Sequence, residues 1–311
     1  MHVLGIDAGG TKTVCLLADR HGTIVAEARG GGANLQAAGE LEVEKVLHGV
    51  MQEALATHRV RPAAICLGIA GVDRPSDSET VRAIMRRIGL ESTVLVVNDA
   101  LVALEAGAGS APGVVIVAGT GSIAYGRTAD GRAARAGGWG YLLGDEGGGF
   151  WIGRSALAAV VRQSDGRGPE TELTELVLHQ LNVATPMELI QEIYYRDVHR
   201  HAIASLAALV QTAADAGDAV AGQILARAGT ELASAAASVI ARLEMRGDTF
   251  PTVLAGGIFR GVPFLVRDVS TRLSEIAPRS TVEPLQVEPA VGAVRLAVAA
   301  ARGTARVPTY V

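Results

Sequence analysis

The chain has 311 residues, of which 49% are hydrophobic and 19% charged, and its formal net charge is -4. This length and composition are typical of a folded protein with two domains and exclude a disordered chain. Two cysteines are too few for a disulfide framework or a cysteine-rich zinc site, and the chain lacks the basic stripe of a nucleic-acid-binding protein.

Five apolar runs in the first third of the chain predict β-strands. They are bounded by turn residues and lie at positions 3–6, 13–18, 23–28, 64–70 and 93–97. Residues 40–58 carry apolar side chains at the i, i+3, i+4, i+7 spacing of an amphipathic helix, and a second helix is predicted around residues 79–88. This part of the chain is therefore expected to form an α/β unit.

The same pattern begins again in the second third, which suggests an internal duplication. Residues 114–118 predict a strand that runs into a Gly/Thr turn and a return strand, as at the N-terminus. Residues 150–246 predict mostly helix, followed by a strand at 252–255 and a last helix at about 289–301. We expect two similar α/β halves joined near residues 110–113.

The first turn combines the groups that bind a phosphate. It reads Asp7-Ala8-Gly9-Gly10-Thr11-Lys12, in which the glycines let backbone N–H groups approach an anion and Thr11 and Lys12 add donors. Asp7 is a candidate ligand of Mg²⁺. The turn is not a Walker A loop, because the chain has no G-x-x-x-x-G-K-[ST] string. An ordinary tight hairpin is the alternative.

The second turn has the same character and reads Gly119-Thr120-Gly121-Ser122. With the next two residues it matches the dinucleotide pattern G-x-G-x-x-G/A. That pattern requires a helix to begin at the glycines, whereas a strand is predicted here. Two strand–turn–strand units with Gly and Thr in the turn favour two hairpins that bind a polyphosphate between them.

Asn98 and Asp99 stand directly after the predicted strand at 93–97 and before a helix-prone segment. In open α/β folds the carboxyl ends of strands line the ligand crevice. A carboxylate at this position can accept the proton of an attacking hydroxyl, a role worth about 10²–10⁴ in rate. Asp and Asn are also favoured helix N-caps, and the spacing leaves both roles open.

Three glycine-rich segments are further candidates for ligand contact. The densest, residues 137–149, holds seven glycines and includes Asp145, which can accept hydrogen bonds from ligand hydroxyls. Asn34 ends a glycine run, where it binds a ligand or closes a turn. Gly256 and Gly257 follow a strand, where they bring backbone against an adenine or ribose or form a C-terminal hairpin.

Neither a signal peptide nor a membrane span is expected. The N-terminus lacks a basic region followed by a long apolar core. The Ala-rich stretch at residues 202–240 is interrupted by charged and amide side chains. A cytoplasmic protein that binds neither membrane nor nucleic acid is therefore predicted.

Taken together, these segments resemble the sugar-kinase, actin and Hsp70 superfamily and, within it, the N-acetylglucosamine kinase group of the BadF/BadG/BcrA/BcrD ATPase family. Residues 5–13 look like the first phosphate motif, residues 118–122 like the second, and residues 254–257 like the adenosine motif. These motifs are shared across the superfamily. The segment 137–149, together with Asn98-Asp99, is more specific and resembles the N-acetylglucosamine kinase group.

The resemblance implies a role for each matching position. Asp99 matches the catalytic base, and Asp7 would organise Mg²⁺. ATP would be held by the two hairpins and the adenosine motif, at Gly9, Gly10, Thr11, Lys12, Gly119, Thr120, Gly121, Ser122, Gly256 and Gly257. The sugar site would comprise Asn34, Asn98, Asp99, Thr120, Gly138, Trp139 and Asp145.

The resemblance also implies an α/β fold of two actin-like (ribonuclease H-like) domains with a nucleotide and sugar cleft between them. Residues 1–112, completed by a C-terminal helix at 289–303, would form the first domain. Residues 113–288, with a helical insertion, would form the second. Relatives are commonly dimers, so a homodimer is expected.

The activity that this resemblance implies is ATP-dependent phosphorylation of the 6-hydroxyl of N-acetyl-D-glucosamine. Glucosamine and N-acetylmuramic acid are alternative substrates. A different class of function is an ATPase that drives a partner redox enzyme, as activators in the same sequence family do. Those activators bind an iron–sulfur cluster through cysteines, whereas Cys15 and Cys66 lie in strand-like runs that do not resemble such a site.

Overall fold

Two mixed β-sheets form the frame of the computed structural model, which describes residues 1–72, 74–196 and 199–311. The strands of the first sheet are β1 (His2–Ala8), β2 (Lys12–Asp19), β3 (Ile24–Gly31), β4 (Pro62–Ile69) and β5 (Thr93–Asn98). Their order across the sheet is β3-β2-β1-β4-β5. Neighbours among β1, β2 and β3 are antiparallel, whereas β4 and β5 run parallel to β1.

The second sheet repeats this arrangement. Its strands are β6 (Gly113–Ala118), β7 (Ser122–Arg127), β8 (Arg132–Gly137), β9 (Pro251–Ala255), β10 (Thr281–Pro284) and β11 (Thr309–Tyr310). They lie in the order β10-β9-β6-β7-β8-β11. When the strands of each sheet are counted in chain order and β11 at the edge is left out, both sheets have the strand order third, second, first, fourth and fifth. The predicted pair of similar α/β halves is therefore confirmed.

The helices cover both sheets and fill the space between them. In chain order they are α1 (Leu35–Ala38), α2 (Glu40–Leu55), α3 (Pro75–Ile88), α4 (Asp99–Ala108), α5 (Gly149–Ser164), α6 (Leu173–Gln180), α7 (Glu188–Tyr195), α8 (Arg200–Ser205), α9 (Ala207–Asp215), α10 (Ala219–Arg242), α11 (Gly257–Gly261), α12 (Pro263–Ile276) and α13 (Ala290–Ala301). Helices α2 and α3 cover the outer face of the first sheet. Helices α5, α9, α10 and α12 cover the outer face of the second.

A shared core lies between the two sheets and is built around α4 and α13. Buried side chains from both sheets pack against these helices, including Val3 of β1, Cys66 of β4, Val115 of β6 and Val253 of β9. The chain passes to the second sheet after α4, and α13 returns to pack on β1 and α4. The domain boundary at residue 112, and the assignment of α13 to the first domain, stay predictions.

Glycines let the helices of the shared core approach their neighbours closely. A Cβ on Gly5 of β1 would lie 2.3 Å from the backbone nitrogen of Val294 in α13. A Cβ on Gly292 of α13 would lie 2.0 Å from the carbonyl oxygen of Val102 in α4. Real Cβ atoms do not approach so closely, so both contacts require glycine.

A buried ion pair fixes the end of α4 to the second sheet. The Arg127 guanidinium of β7 lies 2.7 Å from the Glu105 carboxylate of α4, and each side chain is 8% exposed. Arg127 also donates to the carbonyls of Gly109 and Ala111, just beyond the helix. A buried ion pair stabilises a fold little more than well-packed apolar side chains of similar size would. Removing one partner, however, leaves an uncompensated buried charge and is destabilising.

Helix α10 is long and apolar enough, by length and composition, to cross a membrane. In the structure it packs in the core over the second sheet, with Leu225, Leu232, Val239 and Ile240 buried. This packing is that of a core helix in a folded domain.

We expect Gly5→Ala to destabilise the protein by roughly 3 kcal/mol, because the added methyl group would collide with the backbone of α13. Gly49→Ala is the matched control. Gly49 lies within α2, where an added Cβ meets nothing within 4 Å, so this change should stabilise by about 0.5–1 kcal/mol. Thermal unfolding midpoints measure both. Equal midpoints for the two variants would contradict the close approach of β1 and α13.

Candidate active site

The carboxyl ends of three parallel strands bring Asp7 and Asn98 to one edge of the first sheet. Asp7 of β1 lies opposite Gly68 of β4, and Ile69 of β4 lies opposite Asn98 of β5. Asp99 follows as the first residue of α4. The strand register therefore places the predicted metal ligand and the predicted base at the same edge, where α/β folds bind ligands.

The structure assigns the helix cap at this edge to Asn98. Its side-chain oxygen accepts a hydrogen bond of 2.8 Å from the backbone N–H of Ala100. Asn98 is buried, whereas Asp99 is partly exposed in the first turn of α4. The N-cap alternative therefore accounts for Asn98 and not for Asp99. Asn98 was predicted to contact the sugar, and its side chain has a structural role here.

Asp7 is buried in an acidic environment. Burial, followed by the charge of Asp99, raises the pKa of Asp7 to about 8. The positive charge of Lys12 acts in the opposite direction, and the carboxylate of Glu288 adds a smaller upward effect. The charges of Asp99, Lys12 and Glu288 thus all act on Asp7, at the base of the first hairpin (residues 7–12).

Glu288 is a residue of this site that the sequence analysis missed. It lies between β10 and α13 and bridges two cations. One carboxylate oxygen lies 2.7 Å from Lys12 Nζ, and the other lies 3.2 Å from Arg29 Nη1. Burial alone would raise the pKa of Glu288, but hydrogen bonds and charges from Lys12 and Arg29 outweigh it and lower the pKa. A separation of 276 residues between Lys12 and Glu288 left no local signal for this contact.

The glycine run that ends at Asn34 packs directly on the first hairpin. The backbone N–H of Ala33 donates to the carbonyl of Gly9 at 3.0 Å. A Cβ on Gly32 would lie 2.3 Å from the carbonyl oxygen of Gly10. This packing holds Asn34, a predicted sugar contact, next to the predicted phosphate loop.

The second hairpin (residues 118–122) is a tight turn between two antiparallel strands. The backbone N–H of Gly119 donates to the carbonyl of Gly121 at 2.9 Å, and β7 begins at Ser122. Because a strand and not a helix follows the glycines, the match to the dinucleotide pattern is accidental. The strand–turn–strand prediction is confirmed at both hairpins.

The glycine-rich loop (residues 137–149) is docked on the second hairpin. Four hydrogen bonds of 2.7–2.9 Å join them: Gly138 N to Ser122 O, Ser122 Oγ to Glu146 O, Gly149 N to Gly119 O, and Phe150 N to Thr120 O. These bonds use backbone groups at both ends of the loop. These hydrogen bonds therefore fix the position of the loop relative to the second turn.

Asp145 lies against the second hairpin at the centre of this docking. A Cβ on Gly121 would lie 2.2 Å from Asp145 Oδ2. Asp145 has a φ of 59°, a left-handed conformation that is uncommon for non-glycine residues, although Asp adopts it more often than most. Burial raises its pKa, against the lowering effect of hydrogen bonds from the backbone of Gly140 and Ser122. The structure thus brings Asp145 together with Thr120 and the second turn.

Trp139 and its neighbours in the glycine-rich loop are exposed. The Trp139 side chain is 63% exposed and lies under the Arg135 guanidinium, 5.0 Å from the ring centroid. Arg200 covers the ring of Tyr141 in the same way, at 4.6 Å. Gly138 packs against Ile123. Trp139, predicted to contact the sugar, is therefore a surface residue held by a cation–π contact.

Gly256 and Gly257 lie beside the second hairpin. A Cβ on Gly256 would lie 2.2 Å from the carbonyl oxygen of Ala118, at the end of β6. Gly256 has a φ of 106°, which L-residues rarely adopt. Helix α11 begins at Gly257, so the alternative of a C-terminal hairpin is wrong.

The two hairpins meet across the space between the sheets. The hydroxyl of Thr11 lies 3.0 Å from the hydroxyl of Thr120, within hydrogen-bond distance. This contact joins the first turn, with Asp7 and Lys12 at its ends, to the second turn, against which Asp145 of the glycine-rich loop packs. The two predicted phosphate turns thus meet, with Asp7 and Asp99 beside the first and Asp145 against the second.

Comparison with known proteins shows a match over nearly the whole chain. Residues 4–297 match the model of the BadF/BadG/BcrA/BcrD ATPase family. The chain belongs to this family. The resemblance predicted from the sequence is confirmed, and with it the use of ATP by the family.

Two curated relatives of this family member are sugar kinases. An N-acetylmuramic acid/N-acetylglucosamine kinase of Clostridium acetobutylicum is 34% identical over 95% of this chain and 98% of its own length. An N-acetyl-D-glucosamine kinase of Dictyostelium discoideum is 32% identical over 95% of this chain and 97% of its own length.

Solved structures confirm the predicted fold class for this member of the BadF/BadG/BcrA/BcrD family. A Chromobacterium violaceum protein described as a candidate N-acetylglucosamine kinase aligns with a TM-score of 0.77 and 27% identity, covering 94% of this chain and 97% of its own. A glucokinase of the repressor/ORF/kinase type from Streptomyces griseus, solved with glucose and AMPPNP, has a TM-score of 0.63 at 16% identity and covers 97% and 100% of the two chains.

The raised pKa of Asp7 predicts a pH-dependent effect of its removal. Between about pH 4 and pH 8 the folded chain retains a proton on Asp7 that the unfolded chain has lost, so its contribution to stability falls as pH rises. In ligand-free protein, Asp7→Asn should therefore be more stable than the parent at about pH 8.5, by up to roughly 5 kcal/mol.

This difference should shrink as pH falls towards 4.5 and is measured by unfolding at several pH values. Asp248→Asn is the matched control, because Asp248 is exposed and its replacement should leave stability unchanged across the range. A constant difference for Asp7→Asn at every pH would contradict the burial argument.

Proposed function

We propose that this chain is an ATP-dependent kinase that phosphorylates the 6-hydroxyl of an amino sugar, N-acetyl-D-glucosamine. The observation that carries the proposal is the meeting of two Gly/Thr hairpins, at 3.0 Å between Thr11 and Thr120, beside Asp99 and Asp145. Phosphoryl transfer requires phosphate-binding backbone, a base and a sugar site in one place. The two curated relatives named as kinases of such sugars support the same activity.

The hairpins supply the phosphate site. Their backbone N–H groups and the donors of Thr11, Lys12, Thr120 and Ser122 hold the triphosphate and disperse the charge that develops during transfer. Gly256 and Gly257, beside the second hairpin, bring backbone against the adenosine moiety. In this arrangement each half of the chain provides one side of the nucleotide site.

Asp7 fits the role of a magnesium ligand. A buried carboxyl group with a raised pKa beside a second carboxylate is stabilised in its charged form by a divalent cation. Within the described residues no group of three or more His, Cys, Asp or Glu side chains forms a metal site. Most ligands of Mg²⁺ would then come from phosphate and water, as is usual for this ion. Bound Mg²⁺ offsets the negative charge of the phosphates.

Asp99 acts as the general base. Its carboxylate accepts the proton of the sugar hydroxyl while that oxygen attacks the γ-phosphorus, whose bond to the bridging oxygen breaks as ADP leaves. Asp145 accepts hydrogen bonds from sugar hydroxyls, and Asn34, Asn98, Gly138 and Trp139 complete the sugar site. Trp139 is exposed, so it lies at the outer side of this sugar site. Asn98 caps α4, so its contribution to the sugar site is indirect.

N-acetylmuramic acid is the second candidate substrate, because the Clostridium acetobutylicum relative is named for both sugars. Glucosamine is favoured less, since the relative named for it covers 58% of this chain at 26% identity. The redox-activator function has less support. Cys15 and Cys66 are fully buried in strands of the first sheet, whereas a cluster shared between subunits requires thiols at the surface.

We place this kinase in the cytoplasm, where ATP is supplied, as a homodimer that binds neither membrane nor nucleic acid. Its first domain comprises residues 1–112 and the C-terminal helix at 289–303, and its second comprises residues 113–288. The sugar and ATP occupy the cleft between these domains, and closure excludes water from the transfer.

We expect sugar-dependent release of ADP from Mg²⁺-ATP, with N-acetylglucosamine the best substrate in a panel that also holds N-acetylmuramic acid, glucosamine, glucose and no sugar. Asp99→Asn should lower turnover by about 10²–10⁴, because the amide cannot accept the proton. Exposed Asp248→Asn is the control and should retain full activity. Equal ADP release in all wells, or a fully active Asp99→Asn, would contradict the proposal.

Gly121→Ala tests the sugar site without removing a charged side chain. The added methyl group would displace Asp145, so KM for the sugar should rise by about tenfold, the effect of losing a charge-assisted hydrogen bond. Gly222→Ala, where an added Cβ meets nothing within 4 Å, is the matched control. An unchanged sugar KM in a folded Gly121→Ala variant would remove Asp145 from the site.

A further inference from the structure

The contacts of Glu288 join the first hairpin to the chain that returns from the second sheet. Its two carboxylate oxygens are shared between Lys12 Nζ at 2.7 Å and Arg29 Nη1 at 3.2 Å. Glu288 is 31% exposed and Lys12 is 42% exposed, so the group lies at the edge of the site and not in the core. The three side chains together carry a net charge of +1.

We propose that Glu288 is a positioning residue that holds Lys12 ready to bind the phosphates of the nucleotide. The proposal rests on the function proposed above. Glu288 itself contacts no reacting atom. It acts through Lys12, and Arg29 offsets the negative charge that Glu288 brings near the phosphates.

The flexibility of lysine explains why such a residue is needed. A lysine side chain carries a flexible four-carbon stem, and fixing it costs rotamer entropy. A hydrogen bond to Glu288 fixes the stem before the nucleotide arrives. It uses one of three ammonium donors, and two are left for phosphate oxygens.

The test compares ligands with and without phosphates. Dissociation constants for ADP and adenosine would be measured by calorimetry on the full chain, with thermal unfolding as a check of folding. Glu288→Gln keeps the shape of the side chain but removes its charge. We expect ADP to bind about tenfold more weakly, the effect of losing one charge-assisted hydrogen bond, and adenosine to bind as before.

Further variants distinguish a positioning role of Glu288 from a merely structural one. In Lys12→Met, the addition of Glu288→Gln should weaken ADP binding no further, because Glu288 acts through Lys12. Arg29→Met should weaken ADP binding less than Glu288→Gln does. Glu283→Gln, an exposed change on the preceding strand, should leave both ligands unaffected.

Two results would overturn the proposal: Glu288→Gln leaves ADP binding unchanged, or it weakens ADP and adenosine equally. A full additional loss in the Lys12→Met background would also overturn it, since Glu288 would then act by another route. A wild-type chain that binds neither ligand would instead refute the proposed kinase function, and this proposal with it.

Discussion

Helix α4 has to fit between two sheets, and the rest of the structure depends on that fit. It packs on strands of both halves, with α13 beside it, at distances that leave no room for a Cβ at Gly292. The buried Arg127–Glu105 pair holds its far end. Its near end carries Asp99, so the proposed base is placed by a helix packed between the two sheets, and not by a loop.

The two halves build their hairpins on the same plan. In each half, the first strand of the sheet (β1 or β6) ends in a glycine-containing turn, and a separate glycine-rich segment packs on that turn. Ala33 donates to the carbonyl of Gly9 in the first half, and Gly149 donates to that of Gly119 in the second. The repeat seen in the strand order thus extends to how each turn is supported. Backbone groups of the turns are held in place before any ligand arrives.

Local features of this chain were predictable from its sequence, whereas contacts between distant segments were not. The strands, both hairpins and the edge that carries Asp7 and Asp99 follow from apolar runs that end in glycine or acidic residues. The choice of Asn98 over Asp99 as the cap depends on the direction of one side chain, which spacing does not encode. The Lys12–Glu288 and Arg127–Glu105 pairs could be found only from the three-dimensional fold, because no local sequence pattern links the two residues of either pair.

The hydroxyl contact between Thr11 and Thr120 gives the separation of the two turns a small free-energy cost. A neutral hydrogen bond contributes about 1 kcal/mol net, which corresponds to a factor of roughly five in an equilibrium constant. A ligand that had to separate the two hydroxyls would bind more weakly by about this factor than its contacts alone allow. Hydrogen bonds from the two hydroxyls to charged phosphate oxygens are stronger than the bond that is lost, so a bound nucleotide can offset this cost.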